Sequence, residues 1–342
     1  MKMMRKVTIA AATAALMMAG SAAQAGPTFD AIKQRGEVIC GVSTGVAGFS
    51  ITDSQGKWTG IDADVCKAVA AAIFGNPEKV KFVPLSAQQR FTALQSGEVD
   101  ILSRNTTYTL QRDTALGLNF TGVTYYDGQG FMVSKKSGVK SAKELGGATV
   151  CVQPGTTTEL NLADWGRSNK VQYKPVVIEK LDEIEAAFFS GRCDAYTTDA
   201  SGLAGTRATK ASNPDDYIIL PEIISKEPLG PAVRHGDDQW ADVVRWVFYA
   251  LLEAEEKGVT SANLEEMKKS DDPGIKRMLG VTPGMGKALG LDEAWAANAI
   301  KAVGNYSEMF ERNVGKGSKL KLERGINAQW NKGGLMYAVP IR

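Results

Sequence analysis

The sequence predicts an α/β protein of two lobes, each a mostly parallel sheet flanked by helices, joined by two hinge crossings. Three observations carry this expectation. Strand-like and helix-like segments alternate from residue 38 to residue 102 and begin again at residue 148, the pattern of helices packed on the faces of a parallel sheet. Two stretches echo each other, Ser96-Gly97-Glu98-Val99-Asp100-Ile101-Leu102-Ser103 and Ser190-Gly191-Arg192-Cys193-Asp194-Ala195-Tyr196-Thr197. The length, 342 residues, exceeds what one small core supports.

In chain order, Lys2, Arg5 and Lys6 precede an apolar run from Val7 to Ala19 and the small-residue sequence Ala23-Gln24-Ala25. This reads as a secretory leader over residues 1–25, with the mature chain starting at Gly26. The run is too short to span a bilayer, which takes about 20 residues. Val38 to Val42 reads as a buried strand. Asp62 is placed to cap a helix whose apolar face is Val65, Val69 and Ile73 and whose stop is Gly75. Val80 to Leu85 is the next strand, Ala87 to Ser96 a helix closed by Gly97, and Val99 to Leu102 a third strand.

The second round runs Ala148 to Val152 (strand), Thr157 to Gly166 (helix), Tyr173 to Ile178 (strand), Leu181 to Ser190 (helix) and Cys193 to Thr197 (strand). In both echoed stretches a glycine ends a helix in the left-handed conformation and an aspartate starts a buried strand. Tyr125 to Gly130 and Glu227 to Ala232 read as paired hinge crossings, which puts residues 26–126 and 229–342 in one lobe and 127–228 in the other. Trp240 to Glu256 is an amphipathic helix returning to the first lobe. Beyond about Ser270 the chain is Gly-rich and polar with a helical stretch from Leu291 to Glu311, and no role is assigned to it.

Composition narrows the function. Forty basic against 38 acidic residues leave a net charge of +2 with no basic tract, so nucleic acid is not an expected partner. Four cysteines in an exported chain read as disulfides. Three pairings are possible, and the order Cys40, Cys66, Cys151, Cys193 favours one bridge within each lobe, Cys40–Cys66 and Cys151–Cys193. The one histidine, His235, lies in a polar stretch without metal-ligand spacing, and Gly41 to Gly48 lacks the dinucleotide fingerprint. No metal, no cofactor and no catalysis are expected, and the protein is expected to be a monomer.

Ligands of open α/β sheets sit beyond the carboxyl ends of the strands, which directs attention to the residues after Ser103 and Thr197. Arg112 follows a donor-rich segment, Arg104-Asn105-Thr106-Thr107-Tyr108-Thr109, and a guanidinium matches a carboxylate in a two-pronged contact. Asp199 lies past the equivalent strand and offers an anion to an ammonium. Gln153-Pro154-Gly155-Thr156-Thr157-Thr158-Glu159 joins a strand to a helix. Its threonines serve as caps, and its first N–H groups suit an anion. An anion site and a cation site facing one crevice fit a zwitterion.

These residues resemble the polar amino acid-binding proteins of bacterial ABC transporters. The resemblance runs from Glu37 to about Gly258, and Arg104-Asn105-Thr106-Thr107 with the extended length is similar to their general L-amino acid-binding branch. Gly60-Ile61-Asp62-Ala63-Asp64-Val65 resembles the family's G-F-D-x-D-[LV] signature. The resemblance implies the two-lobed periplasmic binding protein fold of type II, a location in the periplasm, capture of free L-amino acids by hinge closure, and delivery to membrane permease subunits. Carried over by position, Arg112 pairs with the ligand carboxylate and Thr156 and Thr157 assist it. Asp199 takes the ammonium, and Asn105 and Thr107 add polar contacts. Arg90 and Arg104 lie near the side-chain pocket, and Phe49 stands in for an aromatic residue of the loop after the first strand. A lyase or dehydratase on the same scaffold, or a ligand-sensing subunit, are the competing readings. Arg112 and Asp199 are expected to be hydrated in the open protein and to matter for ligand rather than for folding.

Overall fold

The computed structural model describes residues 27–342; the expected leader, residues 1–25, lies outside the described residues. Two five-stranded sheets organise the chain. The first contains β1 (Val38–Val42), β4 (Val80–Pro84), β5 (Ile101–Leu102), β6 (Leu118–Phe120) and β14 (Ala232–Arg234), in the order β4-β1-β5-β14-β6. The small hairpin β2 (Ile51–Thr52) and β3 (Trp58–Thr59) stands apart from it. The second sheet contains β8 (Gln129–Ser134), β9 (Thr149–Val152), β10 (Lys174–Val177), β11 (Ala195–Asp199) and β12 (Tyr217–Ile219), in the order β10-β9-β11-β8-β12. Each sheet has a parallel trio of the strands expected from sequence, β4-β1-β5 and β10-β9-β11. β14 and β8 run antiparallel to their trios, and β6 and β12 pair antiparallel with β14 and β8 in turn; the sequence pattern predicts no strands in those places beyond the hinge segments.

Between the sheets lies a two-stranded ribbon, β7 (Tyr125–Asp127) with β13 (Glu227–Leu229), in which Glu227 pairs with Asp127 and Leu229 with Tyr125. The only covalent link the chain makes from the first sheet to the second, and back, runs through these two strands.

The first sheet is covered by α1 (Pro27–Arg35), α2 (Ile61–Phe74) and α3 (Gln89–Ser96), and the second by α4 (Thr157–Asn169), α5 (Leu181–Phe189) and α6 (Ala200–Lys210). Gly75 and Gly97 end α2 and α3 at φ 68° and 81°, and Gly191 follows α5 at φ 80°, as the stop signals predicted. Asp62 does not cap α2. Gly60 holds that position without a side-chain cap, at φ 119° where a Cβ would fall 2.1 Å from Phe49 O, and Asp62 instead turns toward the segment after β5. Nor does Gly166 stop α4: the helix runs on to Asn169, and the glycine is needed because a Cβ there would lie 2.8 Å from Val171 O. The stretch Leu291 to Glu311 is two helices, α11 (Trp295–Val303) and α12 (Tyr306–Asn313), broken at Gly304 by an Asn305–Glu308 capping box.

The chain after residue 270 completes the first lobe. Together with α7 (Asp238–Glu256) and α8 (Leu264–Met267), the short helices α9 (Pro273–Met278) and α10 (Met285–Leu289) and then α11 and α12 enclose the core around β1 and α2. The alanines of α2, Ala68, Ala70, Ala71 and Ala72, let neighbouring helices approach closely, and Trp295, Ile300 and Val303 of α11 are buried there. Burying a side chain such as Ile300 or Val303 stabilises by roughly 1.5–3 kcal/mol.

Each disulfide lies within a single lobe, one in each. Cys40 of β1 is bonded to Cys66 of α2, with Cα atoms 6.3 Å apart, and Cys151 of β9 to Cys193, just before β11, at 5.7 Å.

Candidate functional site

The carboxyl ends of the two parallel trios face each other across a cleft that is closed in this structure. Ser86 Oγ donates to Glu179 Oε1 at 2.9 Å, Arg90 Nη2 reaches Gly155 O at 3.4 Å, and the hydroxyls of Thr107 and Thr157 are 3.3 Å apart. The space left between the lobes, about 50 Å³, is bounded on one side by Val46, Phe49, Arg90, Arg104, Asn105 and Thr107. From the other side Gln153, Thr156, Thr157, Thr158, Tyr196 and Asp199 are among the residues that close it. Eight of the nine candidate ligand residues thus meet at one cavity. The ninth, Arg112, lies beside it, buried and donating from Nη1 to Thr107 O at 2.9 Å, with its guanidinium 5.0 Å from the centre of the Phe91 ring.

Local sequence explains these positions. β5 ends at Leu102, and Asn105 takes φ 34°, a left-handed value that asparagine tolerates better than most residues. Asp62 holds this turn: it accepts from Asn105 N at 2.7 Å and from Ser103 Oγ at 3.4 Å. Arg104 is pinned by its Nε to Leu85 O at 3.0 Å. In the second lobe Thr156 caps α4, accepting from Glu159 N at 3.1 Å, so the N–H groups of Thr157 and Thr158, the first two of the helix, have no intrahelical partner. They carry the positive end of the helix dipole into the cleft.

The electrostatics are those of buried, opposed charges. Burial lowers Arg104 and Arg112 to about 10 and pulls Arg90 well below the usual guanidinium range, helped by the neighbouring arginines. Burial pushes Asp199 well above the usual carboxylate range, with Asp127 and Glu227 adding like charge. Asp62 and Asp127 are raised to about 6, also chiefly by burial. Arg90 Nε and Asn105 Oδ1 are buried without a hydrogen-bond partner among the described residues. A buried donor or acceptor left unpaired costs on the order of 1–3 kcal/mol, so the Arg90 donor and the Asn105 acceptor at this cavity are poised for a polar guest.

Sequence reasoning missed Glu227. This hinge carboxylate is 1% exposed and accepts four hydrogen bonds. Thr107 Oγ1 (2.6 Å) comes from the first lobe, Thr157 Oγ1 (2.7 Å) and Asn161 Nδ2 (2.7 Å) from the second, and Ser225 Oγ (2.6 Å) from the hinge. It therefore orients two of the candidate ligand hydroxyls and ties the lobes in the closed form. The signal available in the sequence was a lone acidic residue inside a segment already read as a hinge.

Comparison with known proteins agrees with this geometry. Residues 38–265 match the bacterial extracellular solute-binding proteins, family 3. The chain is 60% identical to the general L-amino acid-binding periplasmic protein AapJ of Rhizobium johnstonii, over 99% of this chain and 100% of that one. It is 57% identical to the glutamate/glutamine/aspartate/asparagine-binding protein BztA of Rhodobacter capsulatus, over 96% of each. A solved structure of an ABC transporter periplasmic binding protein from Brucella ovis, with glutathione bound, superposes with a TM-score of 0.90 at 61% identity, covering 92% of this chain and 98% of the other. Two lobes of the type II periplasmic binding protein fold, closed over a polar cleft and matched to that family over most of the chain, make this protein a member of the bacterial extracellular solute-binding proteins, family 3.

Proposed function

We propose that this protein captures free L-amino acids with polar side chains in the periplasm, closes on them about the β7 and β13 strands, and delivers them to the membrane permease of an ABC transporter. The observation that carries the reading is the opposition of buried charge across one cleft, arginines on the first lobe and Asp199 on the second. The relatives named for general L-amino acid binding and for glutamate, glutamine, aspartate and asparagine binding support it. In this reading Arg112, Thr156 and Thr157, the last through its free N–H group, hold the α-carboxylate, Asp199 holds the ammonium, and Asn105 and Thr107 complete the polar contacts. Arg90, with its unpaired Nε, and Arg104 meet acidic or amide side chains, and Phe49 forms the apolar wall. The lobes divide at residues 126/127 and 228/229, where the paired strands β7 and β13 are the natural pivot.

The cleft binds without catalysis and the protein acts as a monomer. A general acid or base would need a side chain free to exchange protons with a ligand. The chain's one histidine, His235, is exposed and sits 3.1 Å from Leu118 O, on the first lobe's surface. Calorimetry of ligand-stripped protein against the common L-amino acids and their D-isomers tests the proposal. Micromolar or tighter binding of glutamine and glutamate, with D-isomers much weaker, is expected; equal affinity for L- and D-glutamine would overturn it.

A further inference from the structure

The cleft does not end at the cavity that holds the candidate anchors. That cavity is also bounded by Leu181 and Glu185, at the start and middle of α5. The same two residues bound a second and larger space, about 440 Å³, which also lies between the lobes. Its first-lobe wall is Thr44, Gly45 and the hairpin residues Ile51, Thr52 and Trp58; its second-lobe wall adds Asp182 and Lys210. Glu185 is buried at the junction, accepting from Thr206 Oγ1 at 2.8 Å, and its Oε2 lies 3.7 Å from the Lys210 ammonium. Lys210 is part-exposed and loosely held, so it can turn to an anion in the outer space.

We propose that this outer space is a second subsite, which admits amino acids extended at the side-chain end, with γ-glutamyl dipeptides as the ligand class. The head group stays on the inner anchors, so the proposal rests on the amino-acid reading above. The γ-amide lies at the junction, where its N–H donates to Glu185. The terminal carboxylate reaches Lys210, and the apolar part of the second residue covers Trp58. Free amino acids leave this space to water, while α-linked peptides are refused because their first residue lacks the free carboxylate that the inner anchors require.

The test is calorimetry with L-glutamine, γ-L-glutamylglycine and α-L-glutamylglycine on the wild-type protein, Lys210→Gln and Leu181→Trp. Wild type should bind glutamine and γ-glutamylglycine within about tenfold of each other and α-glutamylglycine not measurably. Lys210→Gln should weaken γ-glutamylglycine about two- to fivefold, the range of a part-exposed ion pair, and change glutamine by less than 1.5-fold. Leu181→Trp, which narrows the junction, should weaken the dipeptide more than glutamine. Glutamine binding with γ-glutamylglycine more than a hundredfold weaker would overturn the subsite and leave the amino-acid reading standing. So would dipeptide binding that neither substitution alters selectively. Failure of wild type to bind either compound would overturn the amino-acid reading itself.

Discussion

In each lobe an aspartate at the start of the third parallel strand reaches back to the first. Asp100 accepts from Ile39 N at 2.7 Å and returns its own N–H to Ile39 O; Asp194 accepts from Thr149 N at 2.7 Å and returns its N–H to Thr149 O. The geometry is repeated but the electrostatics are not. Burial raises the Asp100 carboxyl, whereas Asp194, near the surface, is lowered by the hydrogen bonds of Thr149. The same divergence appears at the opposite, functional ends of the strands. The first lobe places Arg90, Arg104 and Arg112 there, and the second a helix N-terminus and Asp199. A scaffold used twice thus fixes where a ligand sits, while the few residues after each strand decide which charge it meets.

That contrast gives the largest expected effect. Arg112→Ala and Asp199→Asn should both weaken amino-acid binding by about 2–5 kcal/mol, because each leaves a buried charge of the ligand without its partner; this is roughly 30-fold to several thousand-fold in affinity. Their effects on the ligand-free protein should differ in sign. Arg112 is buried, bonded to Thr107 O and stacked near Phe91, so Arg112→Ala should cost about 1.5–3 kcal/mol of stability. Burial and two neighbouring carboxylates disfavour the ionised form of Asp199, so Asp199→Asn should leave stability unchanged or raise it. Calorimetry and denaturant unfolding check both; Arg112→Ala binding within a few-fold of wild type would refute its role.

The expectation that both side chains are hydrated, and not needed for folding, concerns the open protein, whereas this structure is closed. In the closed form each is more than nine-tenths buried, and the sequence could not convey this because the groups around them, Phe91 beside Arg112 and Asp127 and Glu227 near Asp199, are distant in the chain. The parallel trios, the glycine stops and both disulfides were legible because they rest on local signals: periodicity, left-handed glycines and cysteine order. Lost were β6, β12 and β14, too short to show a period, and β8, buried on both faces so that no alternation marks it, and the role of Asp62, whose position on a helix start looks the same whether it caps or reaches to Asn105. Glu227 escaped for the same reason as the burial of the anchors. Its four donors come from residues 107, 157, 161 and 225, and only tertiary structure brings them together.

A second way to probe the contrast is pH. Asp62 and Asp127 are raised to about 6 and Asp199 is raised as well. As pH falls from neutral, the native state takes up protons at these sites before the unfolded chain does, so they make the folded protein more stable on acidification down to the unfolded carboxylate value of about 3.9. Ligand binding follows the opposite course, since an ammonium requires Asp199 ionised, and affinity should fall by up to about tenfold per pH unit below its pKa. The measurement is the ligand-free melting temperature beside the calorimetric Kd at pH 7.5, 6.5 and 5.5. Melting temperature and affinity falling together would contradict the buried-carboxylate picture.

The smallest effect concerns the chain beyond the family match, which ends at residue 265. This segment is attached to the pivot itself. Asn327 is 3% exposed; its Oδ1 accepts from Tyr126 N at 2.7 Å and its Nδ2 donates to Tyr126 O at 3.0 Å, pairing with β7 as a neighbouring strand would. Behind it, Phe310, Val314 and Met336 share one core with Phe49, with Tyr125 of β7 and with Leu229 of β13. The cleft wall and both hinge strands therefore rest on the extension, on the first-lobe side only. Asn327→Ala removes both side-chain bonds and leaves the Tyr126 amide unpaired, which should cost about 1–3 kcal/mol of stability. If the extension braces the pivot, the same change should also speed ligand release by a fewfold while the association rate holds, because the loosened strand lets the closed form open. Stopped-flow release kinetics with denaturant unfolding separate the two roles. Lost stability with unchanged release would confine Asn327 to folding, whereas faster release would make the hinge of this longer chain depend on residues that lie outside the family match.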